Sequence, residues 1–209
     1  MGVLSGVKSQ DGNTVELYLD GQRFLSMPAR DYLKYSVYAR DEMSQAELEE
    51  LGRKVLYERA RERALRYVAL SEKSCLQVLE KLKSWGYDEA ISVKALAYLK
   101  EAGYVDDARF ARKFVEEKLR NKAASIKLLR YELEKRGIKG ELAEEVLLPQ
   151  TDREEERAMA AGRKKFSGLK GEPLEKKRKL VAFLQRQGFS YSMARRVSEE
   201  LGRDGGYRG

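Results

Sequence analysis

The sequence predicts a mainly α-helical protein in which three tandem three-helix repeats stack into a curved, elongated array behind a small N-terminal β-meander. Three observations predict it. The pattern Leu-x-x-x-Gly-apolar occurs as Leu82-Lys83-Ser84-Trp85-Gly86-Tyr87, Leu133-Glu134-Lys135-Arg136-Gly137-Ile138 and Leu184-Gln185-Arg186-Gln187-Gly188-Phe189, with successive glycines 51 residues apart. An amphipathic stripe runs into each of those glycines. Ahead of the repeats, Asp-Gly pairs and alternating apolar residues replace the helical period.

Taken in order, residues 1–27 read as β-structure. Asp11-Gly12 and Asp20-Gly21 are two-residue turn signals, and Val15, Leu17 and Leu19 alternate between them. With Asp20-Gly21 as a type I′ turn, Leu19 faces Gln22 and Leu17 faces Phe24, so a three-stranded meander buries Leu17 with Phe24 on one face. From Pro28 onward the pattern is helical. Pro28 suits a first helical turn, and Ser44-Gln45-Ala46-Glu47 fits a capping box. From there through Tyr67 only Gly52 interrupts, which gives one long helix or two joined near Gly52.

Each repeat then follows one plan. A first helix carries small and aromatic residues, Ala64, Tyr67 and Val68, then Ala111, Phe114 and Val115, with Phe166 taking that part in the third unit. A second helix carries the stripe: Cys75, Leu79, Leu82; Ile126, Leu129, Leu133; Val181, Leu184. Gly86, Gly137 and Gly188 then take the left-handed C-cap, where a Cβ is sterically costly. A third helix shows matching positions, Ile91, Leu142 and Met193, followed four residues later by Ala95, Val146 and Val197. Such a unit cannot bury both faces of its helices alone, so neighbours stack. Its period fits none of the roughly 33–47-residue helical repeats. The expected divisions are residues 1–56 for the β-element with its linking helix, 57–105, 106–150 and 151–203 for the repeats, and 204–209 for a flexible tail.

Composition narrows the function. In 209 residues there is no histidine and a single Cys75, which removes His-dependent nucleophile pairs, imidazole zinc sites and internal disulfides. Cys75 reads as a buried helix residue in a reducing compartment. No apolar run approaches a membrane span and the first residues lack signal-peptide character, so a cytoplasmic location is expected. There is neither a Gly-x4-Gly-Lys-Ser/Thr loop nor a Gly-x-Gly-x-x-Gly. The expectation is therefore a non-enzymatic protein with no cofactor and no metal; a monomer is expected, although nothing in these motifs bears on oligomeric state.

Net charge is +8, rising from −2 over residues 1–56 to +6 over residues 149–209. Between Arg163 and Arg196, eleven cations face only Glu172 and Glu175. They are Arg163, Lys164, Lys165, Lys170, Lys176, Lys177, Arg178, Lys179, Arg186, Arg195 and Arg196. This density suits phosphate contacts or an acidic protein surface. Phe183, Phe189 and Tyr191 are core by spacing, with base stacking as the alternative. A weaker stripe, Arg109, Arg112, Lys113, Lys118, Arg120, Lys122, Lys127 and Arg130, is interleaved with Glu116 and Glu117 and reads equally well as a solvated face. Asp106-Asp107 reads as a helix N-cap and its neighbour, with an acid–base or metal pair as the alternative. Glu154-Glu155-Glu156 reads as a solvated first helical turn capped by Thr151 or Asp152.

The junction Leu99-Lys100-Glu101-Ala102-Gly103-Tyr104-Val105-Asp106-Asp107-Ala108-Arg109-Phe110-Ala111 resembles the signature of the bacterial RecX family of RecA regulators: Leu-x-x-x-Gly, an apolar pair, Asp-Asp, two variable residues, aromatic-Ala. Gly103, Asp106, Asp107, Phe110 and Ala111 carry it, with Gly86, Gly137 and Gly188 as the structural repeat. The likeness covers residues 58–148 well and 150–201 loosely. The third unit departs from the family at Gly162 and at residues 167–173, where the family's first helix is continuous. The resemblance implies three tandem three-helix modules lying in the groove of the RecA–single-stranded-DNA filament. It further implies damping of strand exchange, ATP hydrolysis and co-protease activity in DNA repair, homologous recombination and the SOS response. A stand-alone binder of single- or double-stranded nucleic acid, acting through the basic third repeat, is the alternative.

Overall fold

The structure, a computed structural model, describes residues 2–9, 13–39, 42–121 and 123–204. The expected Asp11-Gly12 turn, Lys122 of the weaker stripe and residues 205–209 of the expected tail lie outside the described residues; Asp204 is the last residue of a helix.

Four antiparallel strands, β1 (Gly2–Ser9), β2 (Thr14–Leu19), β3 (Gln22–Pro28) and β4 (Glu42–Met43), form one sheet in the order β3-β2-β1-β4. The expected meander thus gains a fourth strand. β4 pairs Met43 with Gly2 and Glu42 with Val3, and two residues are too few for alternation to reveal. Asp20 (φ 46) and Gly21 (φ 79) are both left-handed, as a type I′ turn requires, and Leu19 faces Gln22. Beyond that pair the expected register fails. Leu17 faces Leu25 rather than Phe24, because an irregularity between Leu17 and Tyr18 shifts the ladder by one residue. Leu17, Val15 and Met27 nonetheless share a core with Leu48, Leu51 and Val55.

Pro28 caps the short α1 (Ala29–Lys34) from outside, with extended ψ of 142°, rather than sitting in its first turn. A 3-10 turn (Val37–Ala39) and β4 then interrupt the helical period. α2 (Gln45–Leu70) is one unbroken helix that passes through Gly52. Its capping box is complete: the Ser44 Oγ accepts from the Glu47 N–H at 3.3 Å and the Glu47 Oε2 accepts from the Ser44 N–H at 2.8 Å.

Three helix triplets follow. The first takes the C-terminal part of α2 with α3 (Cys75–Ser84) and α4 (Glu89–Glu101). The second is α5 (Asp107–Asn121), α6 (Ile126–Glu134) and α7 (Gly140–Leu147), and the third α8 (Glu154–Ser167), α9 (Pro173–Arg186) and α10 (Tyr191–Asp204). Gly86, Gly137 and Gly188 have φ of 87°, 83° and 86°. At each, the next residue's N–H reaches back to the repeat leucine's carbonyl: Tyr87 to Leu82, Ile138 to Leu133, Phe189 to Leu184. This is the Schellman closure that the repeated Leu and Gly encode.

Packing follows the stripes with local rotations. Ile126, Leu129 and Leu133 are buried as expected, but α3 buries Val78 with Leu82, and α9 buries Leu180 with Leu184. Cys75, expected to be buried, is half-buried as the first residue of α3.

The chain divides into two compact units, one of residues 1–71 and 78–104, the other of residues 72–77 and 105–209. The second unit holds two cores, one around Ala111, Val115, Leu129, Leu133, Ile138 and Val146, the other around Ala158, Leu180, Leu184, Phe189, Val197 and Leu201. α8 runs unbroken through Gly162. A Cβ there would stand 2.6 Å from Val197 Cγ1, so the glycine is what lets α8 lie close to α10. The expected interruption falls only at residues 168–172, ahead of Pro173 at the start of α9. The α8 cap is Arg153 rather than Thr151 or Asp152.

Candidate functional site

The signature residues are structural. Asp106 Oδ1 accepts the N–H groups of Ala108 (2.8 Å) and Arg109 (3.0 Å) at the start of α5. The Arg109 N–H is the chief reason its carboxyl lies below the usual aspartate range; burial opposes the shift and the Ala108 N–H adds to it. Phe110 and Ala111 enter the core one turn on. Asp106→Ala is expected to cost about 1 kcal/mol at neutral pH. Because the folded pKa is depressed, the cap's contribution is present above about pH 4 and lost as pH falls through the folded value. Urea midpoints of the two proteins should therefore converge in acid, and a pH-independent gap would remove the charged cap.

Asp107 and Glu154 do something that sequence reading missed. Asp107 Oδ1 accepts the Cys75 N–H at 2.8 Å, and Glu154 Oε1 accepts the Ile126 N–H at 2.8 Å. In both cases the first residue of one repeat's first helix satisfies an orphan donor at the start of the preceding repeat's second helix. Glu154 is thus more than part of a solvated turn. The glycine turns dock on the same places: a Cβ at Gly137 would meet Leu76 Cβ at 2.8 Å, and one at Gly188 would meet the Ser125 hydroxyl and, at 2.8 Å, Leu128 Cβ. The Ser125 N–H donates to the Gln187 carbonyl at 3.0 Å. A small or acidic residue at the same place in successive repeats is the only sequence trace of this coupling.

Of the main basic cluster, Arg163, Lys164, Lys165, Arg178, Lys179, Arg186, Arg195 and Arg196 are exposed, while Lys176 and Lys177 are half-buried. Lys179 pairs with Glu175 at 2.7 Å, Arg195 with Glu199 at 2.8 Å and Arg196 with Glu155 at 3.3 Å. The Lys179 hydrogen bond holds the Glu175 carboxyl below its usual range. Lys165 lies over the Phe183 ring, and Lys177 lays its stem on Gly202. Among the described residues, no carboxylate is within ion-pair distance of Arg163, Lys164, Lys176, Arg178 or Arg186.

The weaker stripe is largely neutralised. Arg109 and Lys113 share Glu72, Arg112 lies 3.9 Å from Glu145, Lys118 pairs with Glu132 at 3.1 Å, and Arg130 makes a two-pronged contact with Glu144 at 2.8 and 2.9 Å. Arg120 and Lys127 are exposed with no ion pair among the described residues.

One open cleft of about 830 Å³ brings members of both sets together. Lys127, Arg130 and Tyr131 come from α6, Arg186 from the end of α9, Ser190 from just before α10, and Tyr191 and Met193 from its start. Thr151 and Glu154 complete its rim. Arg163, Lys164, Lys165, Lys176, Lys177, Lys179, Arg195 and Arg196 lie outside this lining.

No helix among the described residues is long and apolar enough to cross a membrane. Family models for RecX match in series: the first three-helix domain at residues 60–107, the second at 106–147 and the third at 152–197. The regulatory protein RecX of Clostridium botulinum (strain Alaska E43 / Type E3) is 29% identical over 198 residues, covering 93% of this chain and 92% of its own. That of Prosthecochloris aestuarii (strain DSM 271 / SK 413) is 33% identical over 146 residues, 68% of this chain and 93% of its own. A crystal structure of regulatory protein RecX superposes with a TM-score of 0.67 at 19% identity, over 95% of this chain and 100% of that one. A second, RecX from Lactobacillus salivarius, gives 0.59 at 23% identity over 70% and 96%. Three consecutive domain matches, on a chain whose helices fall into three triplets closed by the same glycine turn, place this protein in the RecX family of regulatory proteins.

Proposed function

We propose that this chain regulates a RecA-type recombinase by binding along the groove of the recombinase–single-stranded-DNA filament and inhibiting strand exchange, ATP hydrolysis and co-protease activity. The observation that carries the reading is the consecutive series of first, second and third RecX three-helix domains, at residues 60–107, 106–147 and 152–197. It acts by binding rather than catalysis, as a cytoplasmic monomer without cofactor, in DNA repair, homologous recombination and the SOS response. The exposed cations of α8 and α9 that lack an ion-pair carboxylate among the described residues, Arg163, Lys164, Lys165, Arg178 and Arg186, supply a surface for phosphates or for acidic filament residues. That same feature favours a second reading, a stand-alone binder of single- or double-stranded nucleic acid.

Titration into the host recombinase on single-stranded DNA, reading ATPase rate beside gel shifts on naked DNA at two salt concentrations, separates the two. A fall in rate at amounts too low to coat the free DNA is expected. No change in rate together with tight, salt-sensitive binding to naked DNA would replace the regulator reading with the second one.

A further inference from the structure

We propose that the cleft between the second and third repeats seats a segment of single-stranded nucleic acid, with one base stacked on Tyr191 and the neighbouring phosphates held by Lys127 and Arg186. This deepens the reading of the basic surface and rests on it only in taking a polyanion as ligand. Tyr191 is 59% exposed at the first position of α10, and among the described residues its ring takes part in no stacked or cation–π pair; Arg195, whose charge it senses from four residues along the helix, is paired with Glu199. Tyr131, 52% exposed across the cleft, already has the Lys135 ammonium 4.6 Å over its ring. Tyr191 is therefore the free platform, and every base has a face to offer it.

The charges are arranged to match. Lys127 and Arg186 line the cleft from α6 and α9 and are exposed, with no carboxylate partner among the described residues. Arg130 is held by Glu144, so it shapes the wall more than it adds free charge. Glu154 is the one carboxylate in the lining, and its Oε1 is engaged by the Ile126 N–H. The floor is packed and tied: Phe189 is buried beneath it, and the N–H of Ser125, the residue that caps α6, donates to the Gln187 carbonyl. A preformed cleft of this volume falls within the roughly 300–1,000 Å³ of ligand sites. A duplex keeps its base faces inside its own stack and cannot use Tyr191. An acidic protein segment would engage the two cations but leave the ring face idle.

The test uses the full chain without recombinase and a dye-labelled short oligothymidylate read by fluorescence anisotropy at low salt. Tyr191→Ala should weaken binding about tenfold while Tyr191→Phe stays near wild type. The pair Lys127→Gln and Arg186→Gln should lower the slope of log affinity on log salt by about 1.4. Unchanged affinity of Tyr191→Ala, or a duplex of equal length bound as tightly as the single strand, overturns the site. An oligoglutamate peptide that binds wild type more tightly than oligothymidylate reassigns the cleft to an acidic protein segment. Because no recombinase is present, these outcomes are independent of the ATPase titration on which the regulator reading stands.

Discussion

Valine at Gly137 is expected to destabilise the second unit by about 2–5 kcal/mol, against about 1–2 kcal/mol for valine at Gly140. The two glycines are three residues apart in the same compact unit and both have positive φ, 83° and 59°. A side chain at either incurs the left-handed backbone cost. Only at Gly137 does the new Cβ also press on neighbouring atoms, 2.8 Å from Leu76 Cβ with Leu76 Cδ2 at 3.3 Å, whereas nothing lies within 4 Å at Gly140. Leu76 Cβ is bonded to the α3 backbone and cannot swing aside, so the helix itself must move. Urea denaturation of the two variants measures the difference directly. Equal midpoints would show that Gly137 serves backbone conformation alone and that its turn does not press on Leu76.

Replacing Arg163, Lys164 and Arg178 together with Glu is expected to weaken binding to the recombinase filament, or to naked single-stranded DNA, by a hundredfold or so at low salt. These cations are exposed and have no ion-pair partner among the described residues, so reversing them removes attraction without unmaking an internal contact. By contrast, Lys179 is engaged by Glu175 and the Lys177 stem lies on Gly202, so substitutions there mix folding with binding. If direct phosphate contacts dominate, the salt slope on single strands should drop by about 2, near 0.7 per lost contact. Far-ultraviolet circular dichroism should be unchanged. Unaltered binding with intact helicity would reduce the cluster on α8 and α9 to a solvated face.

The repeat was legible because it is written in local terms. Leu82, Leu133 and Leu184 each lie four residues ahead of a glycine whose left-handed cap closes back on that same leucine, and Ser44 and Glu47 cap each other within one turn. Such devices involve residues three to five apart, so spacing alone specifies them. The hairpin turn at Asp20-Gly21 was legible for the same reason, whereas the bulge beside Tyr18 depends on how two strands fit over α2.

The sequence by itself therefore determined the helical class, the three repeats, their caps and the concentration of positive charge toward the C-terminal end. Only the tertiary structure decided that Asp107 and Glu154 serve the helix starts at Cys75 and Ile126, 32 and 28 residues away. It alone showed that most of the weaker basic stripe is spent on Glu72, Glu132, Glu144 and Glu145. It also gathered Lys127, Arg186 and Tyr191 around one cleft. The physical reason is that a charge or a ring acquires its role from what stands within a few ångströms of it, and across a helix-to-helix packing those neighbours come from distant parts of the chain that no local period relates.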